Sequence, residues 1–466
     1  MKTAKTKNRY RIISILPVIL IIVLLPSFAF AESHSPSITL DDAFARVLTV
    51  DERIKIAEKD ITKSEILSDK ATTYFLPSMT ARGGYFRADE EIENGPYIAT
   101  STTGSGVFEV RDADNDTITP KREWQGKFEF LQPLYRGVYF PLKRQAGEII
   151  ERSTETFYQT VQDTLLEVEK VYFDILKIKE LVVNAEDILK LAREELAVAK
   201  IKFEAGQATE DIVLKAELYV TEAERKKIEY HNDLRSAKDA LGNLIGIEDD
   251  GADFDVVKPC MRNVPVLDYG YLENIAFENR YDHRIAALNV NVAESDVDIV
   301  KARFHPTLQA TWDYYLSDTE TITRDKESWV GAIRMDIPIF EQNLRVCDLR
   351  EKREALKQAR LNLDARKKKI RIQVQDAILQ VDSFEGVLRN LEKQVELAQK
   401  NYEIVSAQFE YGSTTSLHLN QALTDLDSAK TALIHETYSH QIALIDLERV
   451  LGIYAHDFIN GINRLE

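Results

Sequence analysis

Phe203-Glu-Ala-Gly206 and Phe409-Glu-Tyr-Gly412 stand 206 residues apart, at matching places in two long segments that share one apolar phase. In the first segment Val161, Thr164, Val168, Val171, Ile175, Ile178, Val182, Ala185, Leu189, Ala192, Leu196, Ala199 and Phe203 step by alternating threes and fours. The same offset lands on Lys367, Ile370, Val374, Ala377, Val381, Phe384, Leu388, Leu391, Val395, Ala398, Tyr402, Val405 and Phe409. A 3.5-residue spacing kept this long is that of helices wound around partner helices. A chain written twice in this way predicts one elongated body of two halves rather than a string of compact domains.

Between Gly147 and Gly206 there is no Gly or Pro, and between Pro338 and Gly412 only Gly386 interrupts. A helix from Val138 to Glu204 would run roughly 100 Å at 1.5 Å per residue. After each turn glycine the apolar phase restarts, at Val213, Ala216, Val220 and Ala223 in the first half and at Leu419, Ala422, Leu426 and Ala429 in the second. A glycine that stops one helix just before another starts predicts a tight antiparallel hairpin. The halves disagree at Glu436 and His440, which stand where the first half has Tyr230 and Leu234.

A different period precedes each hairpin. Met79, Ala81, Gly83 and Tyr85 alternate with Thr80 and Arg82, and Trp124, Gly126, Phe128 and Phe130 alternate with Gln125, Lys127 and Glu129. The second half answers with Leu308 to Leu316 and Trp329 to Ile337, and Pro77 and Pro133 bracket the first pair as Pro306 and Pro338 bracket the second. Period two with one apolar face predicts half-buried strands, and about 9 to 12 residues suits a tilted strand crossing a bilayer. A soluble sheet packed on a second layer is the other reading, but no segment offers itself as that layer. Four strands cannot close a barrel, and open edges in lipid would leave backbone groups unpaired; three chains would bring twelve strands and twelve long helices.

Lys2, Lys5, Lys7, Arg9 and Arg11 precede the apolar run Ile12 to Leu25, and Ala29-Phe30-Ala31 follows. This predicts a secretory signal cleaved after Ala31; a retained anchor helix is the alternative, although 14 residues is short for a span. No Cys follows the cleavage site, so a lipid anchor is not expected. Loss of the five positive charges takes the net charge from −17 to −22, which disfavours nucleic acid as a partner. Cys260 and Cys347 are the only cysteines and fall on different parts of the layout, so both are read as free thiols.

The order of these motifs resembles the TolC family of bacterial outer membrane factors over nearly the whole mature chain. The residues that carry it are Leu40-Asp-Asp-Ala43, Phe75-Leu-Pro77, Phe304-His-Pro306, Gln132-Pro-Leu-Tyr135, the two Phe-x-x-Gly turns, Leu244-Ile-Gly246 and Val450-Leu-Gly452. The resemblance implies a mainly α fold with β: an internally duplicated channel-tunnel protomer whose homotrimer forms a 12-stranded β-barrel and a 12-helix α-barrel. The layout expected is a signal peptide over 1–31, N-terminal helices over 32–75, a β-hairpin with a long extracellular loop over 76–136, and a coiled-coil hairpin over 137–247. An equatorial linker over 248–264, second-repeat helices over 265–303, a β-hairpin over 304–340, a coiled-coil hairpin over 341–453 and a tail over 454–466 complete it.

The function implied is a passive exit duct of a tripartite efflux or type I secretion system. It would sit in outer membrane lipid and dock with a periplasmic adaptor (membrane fusion protein) and an inner membrane pump of RND, MFS or ABC type. In the family the turns face the periplasm and receive the adaptor, which here points to Phe203, Gly206, Phe409 and Gly412. The best-known members close the tip with aspartates at the sixth and ninth positions after the second turn glycine; this chain has His418 and Gln421 there, with Asp425 one turn on. Three His418 imidazoles around an axis would make a pH-dependent constriction or a metal site; a polar surface histidine is the plainer reading. Glu210 and Asp211 add acidity after the first turn.

Other constellations carry less. Asp112, Asp114, Asp116 and Glu123 have calcium-loop spacing, but Thr117 stands where the sharp turn needs glycine, and a solvated acidic loop fits better. The eight histidines form no HExxH pair or Cys/His cluster, no phosphate-binding glycine loop is present, and neither an enzyme nor a cofactor is expected. Arg366 to Lys369 with Arg371 reads as a solvated basic face. The rival outside the channel class is a periplasmic coiled-coil adaptor or scaffold without a pore, which would share the hairpins but lack the amphipathic strand pairs.

Overall fold

The computed structural model describes residues 37–90, 92–93, 98–99, 109–110, 117–247, 254–262, 269–319, 326–455 and 458. The expected signal segment and the Asp112 to Asp116 loop lie outside them. The chain opens with strand β1 (Ser37–Ile38), then helix α1 (Leu40–Val50) and helix α2 (Glu52–Thr73). Thr39 starts α1 with a capping box, its hydroxyl accepting from the Asp42 N–H at 3.2 Å while the Asp42 carboxylate accepts from the Thr39 N–H at 3.2 Å. Asp51 caps α2 by accepting from the Arg53 and Ile54 amides.

Strand β2 (Ser78–Arg87) leads through the short strands β3 (Ile92–Glu93), β4 (Ile98–Ala99), β5 (Glu109–Val110) and β6 (Thr117–Thr119) to β7 (Arg122–Arg136). Helix α3 (Tyr139–Glu204) turns into α4 (Glu210–Leu244). After β8 (Asp255–Val256) come α5 (Tyr269–Asn279), α6 (Tyr281–Ala302), β9 (Thr307–Ser317), β10 (Glu327–Asp336), α7 (Leu344–Glu410) and α8 (Ser416–Leu451). No helix among the described residues is long and apolar enough to cross a membrane.

Four strands form one antiparallel sheet in the order β10-β9-β7-β2, leaving β10 and β2 as edges. Pro133 does not end its strand as the sequence pattern suggests. β7 runs on to Arg136, with a register shift between Pro133 and Tyr135. The reason lies in the neighbours: pairing with β2 stops at Leu131, so the missing proline N–H falls beyond the stretch that β2 needs.

Most heptad positions of the two long helices are buried or half-buried. Val161, Val168 and Ile175 of α3 are wholly buried, as are Ile370, Val374 and Val381 of α7. α3 packs on α4, α2, α6 and α8, and α7 packs on α8, α6 and α5. His440 keeps its place in the seam by laying its ring against Phe384 of α7, centroids 6.1 Å apart, and burial lowers its basicity. Cys260 and Cys347 are free and exposed.

Midway along the helices three remote segments converge. β1 pairs in parallel with β8, and the buried Tyr172 hydroxyl donates to the carbonyls of Ile38 at 2.9 Å and Val257 at 2.6 Å. Arg262, beyond β8, reaches Glu169 of α3 at 2.5 Å and Glu448 of α8 at 3.0 Å. Tyr454 donates its hydroxyl to Glu169 from the other side at 2.7 Å.

Candidate functional site: helix tips and sheet faces

Each hairpin turn is a Schellman close. Gly206 has φ +73° and Gly412 φ +75°; the Gln207 amide donates back to the Lys202 carbonyl at 2.8 Å, and Ser413 to Gln408 at 2.9 Å. A side chain at φ near +75° is strained, which is why glycine stands at both apices. The residues three before the glycines differ in setting: Phe203 is 45% exposed and Phe409 6%. Phe409 packs into the cluster with Leu419, Ala422 and Leu423 of α8, and the Lys202 ammonium lies 4.1 Å from its ring centroid and donates to its carbonyl.

Past the second turn, Thr415 caps α8 by accepting from the His418 amide at 3.4 Å. His418, Gln421 and Asp425 step by three and four, so they share one face of α8, and all three are exposed. Gln421 donates to Asp425 at 2.8 Å, whereas the His418 ring lies 3.5 Å from the Thr414 hydroxyl and meets neither of them. After the first turn, hydrogen bonds from Thr209 and then Lys215 hold the Asp211 carboxyl below its usual range.

Sequence periodicity missed a set of polar groups set back from the apex, between the two hairpins. Tyr219 of α4 donates to the Asn420 carbonyl of α8 at 3.0 Å and also meets the Thr424 hydroxyl. Lys226 of α4 pairs with Asp427 of α8 at 2.8 Å, and Asn184 of α3 donates to the same carboxylate at 2.9 Å. Glu195 of α3, 8% exposed, faces Tyr402 of α7, and burial pushes its carboxyl up to about 7. Burial and then the nearby Glu195 charge raise the Tyr402 hydroxyl's pKa as well. One signal was available: Tyr402 occupies a seam position, and a buried phenol wants a partner.

At the other end of the molecule the strand register sorts the sheet into two faces. Ala81 opposes Phe128, Phe128 opposes Tyr314, and Tyr314 opposes Trp329, giving a continuous apolar and aromatic face. On the reverse, Arg82 pairs with Glu129 at 3.2 Å, and Lys127 with Glu129 at 2.5 Å and Asp313 at 3.5 Å. Trp124 is 63%, Trp329 66% and Ile333 72% exposed on the apolar side, which nothing among the described residues covers.

Two helices of roughly 100 Å, each turned back into a helix of about half that length, beneath an amphipathic four-stranded sheet make this a TolC-like channel protein by fold. Residues 70–247 and 272–453 match the outer membrane efflux protein family, and the chain belongs to it. Membership places the protein in the outer membrane, in a family of transport ducts rather than enzymes.

A curated relative, the outer membrane efflux protein BepC of Brucella suis, is 21% identical over 293 residues. That match covers 62% of this chain and 63% of the length of the relative. The outer membrane protein VceC of Vibrio cholerae superposes with a TM-score of 0.71 at 13% identity, over 89% of this chain and 96% of that one. A membrane protein of Pseudomonas aeruginosa gives 0.72 at 18% identity, over 89% and 90%.

Proposed function

We propose that three copies of this chain form a passive outer-membrane exit duct, with a twelve-stranded barrel above a twelve-helix tunnel. The observation that carries this is the sheet: both edges, β2 and β10, lack a partner among the described residues, and one whole face is apolar. Joining β10 of one copy to β2 of the next would remove every open edge and leave the aromatic face to lipid. A periplasmic scaffold would have no use for that face. The membrane hairpins are 76–136 and 304–340, the tunnel hairpins 137–247 and 341–453, and 248–264 is the equatorial linker.

The turn apices Phe203, Gly206, Phe409 and Gly412 receive a periplasmic adaptor, which links the duct to an inner membrane pump. His418, Gln421 and Asp425, exposed on one face of α8, line the periplasmic constriction. The pump supplies the energy and the duct needs no cofactor. Membrane fractionation tests the reading: a heat-resistant trimer in the outer membrane supports it, and a soluble periplasmic monomer overturns it.

A further inference from the structure

Glu195 sits where two hairpins meet, and among the described residues no charge balances it. It lies on α3 between Ala192 and Ala199, 1% and 2% exposed, and faces Tyr402 of α7, 7% exposed, across a seam lined by Leu423 and Leu426 of α8. One carboxyl oxygen has no hydrogen-bond partner. The groups around it leave it uncompensated. α7 presents the Tyr402 hydroxyl, with the Ser406 hydroxyl beside that. α4 presents Tyr219, near Glu222 and Lys226; Lys226 is engaged with Asp427 of α8 at 2.8 Å. On its own helix Glu194 is also felt at Tyr402, and among the described residues no salt bridge reaches Glu195.

We propose that Glu195 is a proton-dependent latch between the hairpins: neutral, it holds α3 and α7 together behind the tips, and ionised, it lets them part. The Tyr402 hydroxyl donates to the carboxyl and by itself favours the ionised form, but burial outweighs it, because a carboxylate in this apolar seam has one oxygen that nothing solvates. The direction follows from the docked carboxyl titrating near 7 rather than the ordinary 4.5, since the docked form then binds the proton more tightly than the parted form. The latch is therefore fully set below about 4.5 and is released as pH rises through about 7. Its consequence for passage rests on the duct reading; the latch itself does not.

The test is hydrogen exchange of residues 395–409 in the purified full-length protein, corrected for intrinsic rates, at pH 4.5 and pH 8. The wild type should open more at pH 8, by up to roughly 100-fold, each pKa unit being tenfold. Glu195→Gln, neutral at every pH, should show no such difference. Tyr402→Phe should keep the pH dependence and move its midpoint to higher pH, having lost the hydrogen bond that favours the ionised form. His418→Ala, beyond the turn, should behave as wild type. A Glu195→Gln variant that keeps the wild-type pH dependence overturns the latch, as does a wild type with none. Bilayer conductance separates the two readings: exchange that responds to Glu195 while conductance ignores it removes the gate but leaves the latch.

Discussion

Gly412 and Gly452 share a left-handed backbone, at φ +75° and +76°, but not their surroundings. At Gly412 an added Cβ would meet nothing within 4 Å, so Gly412→Ala carries backbone strain alone, about 1 kcal/mol. At Gly452 it would come within 2.8 Å of the Arg280 nitrogen and the Asn279 carbonyl carbon, where α8 ends against the start of α6. Backbone cannot step aside as a side chain can, so Gly452→Ala should cost about 3 kcal/mol. Urea unfolding of the two variants checks the order, and equal losses would mean that the α8 terminus relaxes freely. From sequence the two glycines look alike, each ending an apolar helix. Glu195 was illegible for a related reason: nothing in a heptad pattern marks a charge beside the seam as buried.

At the scale of elements the heptads were nearly sufficient. They located α3 and α7 and their buried stripe, because a 3.5-residue period has one physical solution. What they could not locate was the belt that ties the hairpins together, since the linker around Arg262 has no periodicity. Glu169 is wholly buried and depends on Arg262 at 2.5 Å and the Tyr454 hydroxyl at 2.7 Å. Removing one partner of a buried pair strands the other, so Arg262→Ala should cost about 3 to 5 kcal/mol. Adding Glu169→Gln should recover part of that loss, because the stranded charge is then gone. A double-mutant cycle by denaturant unfolding reads the coupling; additive losses would show that Arg262 acts through Glu448 instead.

For the whole molecule the deciding feature is the sheet, whose strands were legible because period two with an aromatic face leaves few other readings. The β7–β9 pairing that joins the two hairpins was not legible, and neither was the register shift past Pro133, because both depend on which neighbour supplies hydrogen bonds. Register now gives each face a separate expectation. Phe128 lies mid-strand on the apolar face between Ala81 and Tyr314, while Gln125 points the other way, opposite Gly84 and Ser317. If the apolar face meets lipid, Phe128→Lys places an ammonium near the bilayer centre and should destabilise the inserted form by about 2 to 4 kcal/mol. Gln125→Lys adds the same charge to the opposite, polar face, beside Glu123, and should change stability little. The measurement is unfolding of the outer-membrane form in lipid vesicles, with the yield of heat-resistant oligomer alongside. Equal tolerance of the two lysines would mean that lipid does not cover the aromatic face, and the barrel would have to be abandoned. A loss confined to Phe128→Lys would tie the strand register, through the hydrophobic face it creates, to the place of the protein in the membrane.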